Sequence, residues 1–262
     1  MRNSLFVIIV LLACLSCSPP NRQHPHRVKQ VRQDSFKENP KASSSTLLYY
    51  TGFTVSYNPN TRQPDWVSYT LTAEEVEATK HTPKMPRNFM PDPNLNLPQA
   101  TNEDYRGSGW VRGHMARRQD MKWSEQAVME SDYFTNICPQ NSDMNNGVWH
   151  QIENLARKLA VRYDSVQVVC GPVFTSMQPS FFGINNIPVP DGFFKAFLVS
   201  DNTGYHALAF FCSNNAEPIS MVMAVCCVDD VETISGIDLF RFLDDRIEDS
   251  VESRVYLEMI TR

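Results

Sequence analysis

Between Trp149 and Ala160 the apolar side chains fall at Trp149, Ile152, Leu155, Ala156, Leu159 and Ala160. Steps of three and four place them on one side of a 3.6-residue helix. The spacing predicts an amphipathic helix entered through the turn-prone pair Asn146-Gly147. Elsewhere the apolar runs are shorter and richer in β-branched and aromatic residues. Leu47 to Val55, Trp66 to Leu71, Val166 to Val169, Phe193 to Val199, Ala207 to Phe211 and Ile219 to Ala224 read as strands. Turn signals at Asn58-Pro59-Asn60, Gly171-Pro172, Asp201-Asn202 and Asn214-Asn215 punctuate them. Gly109-Trp110-Val111 predicts a strand that delivers Arg112-Gly113-His114 at its end. Thr72 with Glu75 predicts a capping box opening a short helix. Ser124 to Met129 reads as a helical turn, Asp229-Asp230 as the start of a helix ending at Gly236, and Leu239 to Glu248 as a further helix. Pro83 to Pro98 predicts an ordered irregular loop. The sum is an α+β fold with a mixed, mainly antiparallel sheet and packed helices.

Composition changes the picture first at the N-terminus. Residues 1–17 carry Arg2, an apolar run from Leu5 to Leu12 and two cysteines, the layout of an export signal. The run is too short to span a bilayer. Leu11-Leu12-Ala13 before Cys14, or Leu15-Ser16 before Cys17, fits a bacterial lipobox, and a plain cleaved signal is the alternative. The expected location is therefore outside the cytoplasm: lipid-anchored in the periplasm or outer membrane, or secreted. Residues 18–45 are polar and proline-rich and predict a disordered tether. Residues 46–262 have the length of one domain.

The formal net charge of −5 argues against coating nucleic acid through a bulk positive field. Charge is nonetheless uneven, because Arg106, Arg112, Arg117, Arg118 and Lys122 surround His114 while Asp229 to Glu258 is acidic. A basic mouth on an acidic body suits an enzyme that holds a phosphate polymer briefly; a solvated basic loop is the plainer reading of Arg117 and Arg118. Of the cysteines beyond the signal, none has zinc-ligand spacing, and buried free thiols are expected for most. His81, His150 and His206 read as surface or packing residues.

Glu153 and Arg157 stand four apart on one helical face, with Asn145 near that helix's approach. Alone, such a step is a helix-surface ion pair. The ordered set Tyr105 to Ala116, Thr135 to Gln140, Asn145-Asn146-Gly147-Val148-Trp149 and Glu153 to Arg157 resembles the DNA/RNA non-specific endonuclease family. The likeness extends weakly through Pro86-Arg87-Asn88-Phe89 and Phe193-Phe194-Lys195 to Gly236-Ile237-Asp238.

The resemblance implies a ββα-metal, or His-Me finger, core and hydrolysis of DNA and RNA. By position, His114 resembles the general base, Asn145 the direct magnesium ligand, and Glu153 a carboxylate that orders metal-bound water. Arg157 and Arg87 resemble phosphate-binding arginines, Arg112 the arginine of Arg-Gly-His, and Asn136 a further substrate-side asparagine. Manganese could replace magnesium. Where the family commonly has aspartate before Arg-Gly-His, this chain has Val111. Lost support around an ion costs roughly ten- to a hundredfold, so a weak or non-catalytic polyanion-binding surface lipoprotein is the alternative. Monomer and homodimer are both open.

Overall fold

The computed structural model describes residues 45–82 and 84–261; the export signal, Cys14, Cys17 and nearly all of the tether lie outside the described residues. Strands β1 (Thr46–Tyr49), β2 (Thr54–Asn58) and β3 (Gln63–Thr72) lead into helix α1 (Ala73–Ala78). A strand pair follows, β4 (Val111–His114) and β5 (Ile137–Gln140), with helix α2 (Glu125–Ser131) in the connection. Helix α3 (His150–Arg162) comes next, then β6 (Ser165–Val173), β7 (Phe181–Phe182), β8 (Ile187–Pro188), β9 (Gly192–Asp201), β10 (Gly204–Ser213) and β11 (Val225–Cys226). Helices α4 (Val228–Ser235) and α5 (Asp245–Glu252) follow, and a short helix over Glu258–Thr261 closes the fold.

Seven strands form one sheet in the order β1-β2-β3-β6-β9-β10-β11, and each neighbouring pair is antiparallel. Its centre is apolar on both faces, because side chains alternate along each strand. Phe193, Phe197 and Val199 of β9 join one core cluster with Ile152, Leu155, Ala156 and Leu159 of α3. Phe194, Ala196 and Leu198 join the other, with Val228 and Val231 of α4 and Val251 of α5. That double burial explains why β9 reads as an unbroken apolar run. Leu155 and Leu159 are almost wholly buried, and burying each stabilises the fold by about 1.5–3 kcal/mol. The pair β4-β5 lies apart from the main sheet. Followed by α3, it gives the ββα unit.

Local signals held where the physics is local. Thr72 Oγ1 accepts from Glu75 N at 3.1 Å and Glu75 Oε2 accepts from Thr72 N at 2.9 Å, closing the capping box. Gly236 ends α4 at φ 70°, a left-handed position that favours glycine. Four expectations change. Leu47 to Val55 is two strands, turned where Tyr50 N donates to Phe53 O. Asn146-Gly147 is no turn: a wide helical turn over Asn145–Trp149 runs straight into α3, with Gly147 absorbing the irregularity at φ −93°, ψ −108°. Ile219 to Ala224 is mostly helical, since Ser220 caps Met221–Ala224 and only Val225–Cys226 pairs with β10; a short apolar run does not distinguish the two by period. The helix expected over Leu239 to Glu248 begins at Asp245, capped by Asp244.

Candidate active site

Strand alternation puts Arg112 and His114 on one face of β4 and Val111 and Gly113 on the other. A Cβ on Gly113 would lie 2.0 Å from Gln140 Oε1, so glycine is what lets β5 close against the strand that carries the histidine. His114 Nε2 is 3.1 Å from Asp132 Oδ1. Asp132 is itself fixed by Arg118 Nε at 3.1 and 3.2 Å and by Asn88 N–H at 3.1 Å. Arg118 further donates to the carbonyls of Met85 and Pro86 at 3.1 and 3.0 Å, pinning the loop that carries Arg87.

Asp132 was not singled out from sequence, because it ends α2 without a motif. Burial would raise its carboxyl; hydrogen bonds from His114 and Asn88, and the His114 and Arg118 charges, bring it below the ordinary aspartate range. His114 is lowered by burial first, with Asp132 opposing and Arg87 and Arg118 adding to the decrease. The imidazole is thus neutral at neutral pH. With Nε2–H directed to Asp132, Nδ1 keeps the lone pair that can take a proton.

Opposite the histidine, the wide turn presents Asn145, whose side-chain amide makes no hydrogen bond with another described residue. One turn into α3 lies Glu153, buried, with Arg117 Nε 3.2 Å from Oε2 and Lys195 Nζ 3.9 Å from Oε1. Burial pushes Glu153 up to about 7 against the opposing charges of Lys195 and Arg117. Lys195 is fully buried at the centre of β9. Its ammonium donates to Met115 O at 3.2 Å and sits 4.5 Å from the Trp149 ring centroid. Trp149 therefore packs the helix, as expected.

His114, Asn145 and Glu153 line one cleft of about 290 Å³, together with Arg87, Arg112, Arg117, Arg118, Lys122 and His150. Arg87 makes no side-chain hydrogen bond or ion pair with another described residue. Arg112 lies over Tyr105 and Phe89 at 5.1 and 5.5 Å and donates to Asn102 O at 3.2 Å. Arg117 and Arg118 are not a solvated loop, since both are tied to buried carboxylates. His150, read as a surface residue, borders the cleft with Nδ1 3.2 Å from Arg117 Nη2.

Three expected cleft residues are placed elsewhere. Asn136 is fully buried and spends its amide on Ala116 N, Ala116 O and Ser131 O at 2.8, 2.9 and 2.8 Å. It holds the chain just after His114 in shape and is corrected from a substrate-binding to a positioning residue. Arg157 does not pair with Glu153. Its guanidinium is 3.1 Å from Asp120 Oδ1 and 2.8 Å from Thr79 Oγ1, and it does not line the cleft. Arg106 pairs with Glu103 at 2.7 Å at the surface. Val111 is not among the cleft-lining side chains either. Cys138, Cys170 and Cys212 are buried free thiols.

The residues fit a hydrated hard cation. An unengaged amide oxygen and a nearby carboxylate are the donors magnesium accepts while keeping most of its waters. Among the described residues, the cleft offers no cluster of three His, Cys, Asp or Glu ligands, which disfavours a zinc centre.

Known proteins with similar sequences and folds are nucleases. Nuclease EXOG, mitochondrial, of Xenopus laevis is 35% identical over 213 residues, 74% of this chain. Endonuclease G, mitochondrial, of Homo sapiens is 29% identical over 198 residues, 71% of this chain and 66% of its own length. The chain spans 58% of the length of the Xenopus relative. The solved structure of EndoG in its inhibitory complex with EndoGI shares the fold, with a TM-score of 0.73 at 23% identity, covering 85% of this chain and 94% of that one. The family model described as DNA/RNA non-specific endonuclease matches residues 32–246, a span that holds β4, β5, α3 and the whole cleft lining, and the chain belongs to that family.

Proposed function

We propose that this protein is an exported, magnesium-dependent, sugar-non-specific endonuclease that hydrolyses phosphodiester bonds of DNA and RNA. The observation that carries the reading is the convergence of His114, Asn145 and Glu153 on one cation-rich cleft. His114 Nδ1 takes a proton from water as that water attacks phosphorus, while Asp132 holds Nε2–H and so fixes the ring and its tautomer. Asn145 and Glu153 would hold magnesium, or manganese in its place. Bound there, the ion supplies positive charge to the phosphorane and the departing 3′ oxygen. Arg87, unengaged, is free to grip a non-bridging oxygen, and Arg112 backs it from an aromatic seat. Contacts of this kind go to phosphate and sugar, which carry little sequence information, so both polymers are accepted.

Incubation of the protein with plasmid DNA and with RNA, in magnesium or EDTA, tests the reading. Cleavage that needs the metal and falls by about a hundredfold or more in His114→Ala is expected. No cleavage would leave the polyanion-binding alternative, and cleavage undiminished by EDTA would remove the magnesium requirement. Export rests on the layout of residues 1–17. Labelled palmitate incorporated by the wild type and lost in Cys14→Ser or Cys17→Ser would identify an anchor.

A further inference from the structure

The acidic C-terminal third has its own constellation, separated from the cleft by the central sheet. Asp229 and Glu232 on α4 and Glu252 on α5 bring carboxylate oxygens within 4.8 Å of one another. Three carboxylates at that spacing repel strongly unless something positive lies between them. Glu252 is only 4% exposed, and its Oε1 is buried with no hydrogen-bond partner; Glu248 Oε1 nearby is in the same position. An unsatisfied buried carboxylate oxygen is costly, and native proteins pair such groups or give them a metal. Glu232 Oε1 accepts from Leu239 N at 2.6 Å, so one side of that carboxylate is held by backbone.

We propose that Asp229, Glu232 and Glu252 form a second divalent-cation site, suited to calcium, that clasps α4 to α5. The donors are all hard oxygens. Calcium takes six to eight oxygen ligands in flexible geometry, whereas magnesium demands a near-ideal octahedron and keeps several waters, so a cluster of three carboxylates that includes a buried one suits the larger ion. Burial first, then the negative charges of Glu232, Glu248, Asp229 and Asp238, push Glu252 up to about 9, and Glu232 is raised to about 7. A bound cation relieves that strain without protonation. Since both helices pack on β10, the ion would stiffen the sheet face opposite the cleft.

The test is calcium titration by isothermal calorimetry on EDTA-treated full chain carrying Asn145→Ala, so that the cleft is silenced. One saturable calcium site is expected, weakened at least tenfold when Glu252→Gln or the exposed Asp229→Asn is added. Calcium should also raise the melting temperature by several degrees, and Asp229→Asn should remove that rise. In an otherwise wild-type chain Asp229→Asn should leave magnesium-dependent cleavage within twofold. No saturable uptake, or uptake and melting unchanged by Asp229→Asn and Glu252→Gln, would overturn the proposal and mean that the carboxyls instead share protons.

Discussion

Replacing Asp132 by asparagine removes one charge and keeps the shape, weakening both the His114 contact and the Arg118 ion pair, which the pH profile tells apart. The lost interaction is a charge-assisted hydrogen bond at 3.1 Å, of a kind that contributes about 1.5–3 kcal/mol. At 1.36 kcal/mol per decade the cost is roughly 10- to 150-fold in kcat/KM, below the loss in His114→Ala because the imidazole remains. The pH profile supplies an independent readout. Asp132 raises the His114 pKa against burial, so neutralising it lowers that pKa further, and the acid limb of kcat/KM, where His114 becomes protonated and stops acting as base, moves to lower pH. A merely loosened fold would lower the whole profile without moving the limb. The assay is cleavage of a fluorogenic oligonucleotide from pH 4.5 to 8 at saturating magnesium. Activity within twofold of wild type, or an acid limb that stays put or rises, would refute the coupling of Asp132 to the base.

Asn145→Ala should raise the magnesium concentration for half-maximal cleavage at least about tenfold, read from a metal titration. Arg87→Ala should raise KM for an oligonucleotide about tenfold or more with unchanged urea unfolding, since on the proposed reading this guanidinium grips a phosphate oxygen and it makes no hydrogen bond or ion pair with a described residue. Arg157→Met should act oppositely. It strips the buried Asp120 of an ion pair at 3.1 Å and should cost about 3 kcal/mol in urea unfolding, with KM changed less than in Arg87→Ala.

What could be read from the chain was whatever depends on neighbours in sequence. The α3 stripe, the strand carrying Arg112-Gly113-His114 and the Thr72 cap are all set by spacings of two to four residues. The family likeness then named His114, Asn145 and Glu153, and the structure brings all three to one cleft. Asp132 escaped because its importance comes from meeting His114 across 18 positions, and Lys195 because nothing local announces that a lysine inside FFKAF faces inward to a carboxylate. Arg157 misled for the same reason. Its i,i+4 relation to Glu153 is real, but Asp120 and Thr79 outcompete Glu153 for the guanidinium. Gly147 supplied a turn signal in a place where the chain stays helical, and its irregular backbone instead sets how Asn145 enters the cleft.

Lys195 has a mechanical consequence. One ammonium grips the carbonyl of Met115, the residue after His114, and also faces Glu153 on the helix. The chain just after His114 and the cleft carboxylate Glu153 are thereby referenced to a single side chain of β9, so α3 cannot slide against β4 without straining both contacts together. Loss of the Lys195 ammonium should therefore disturb His114 and Glu153 together instead of either alone.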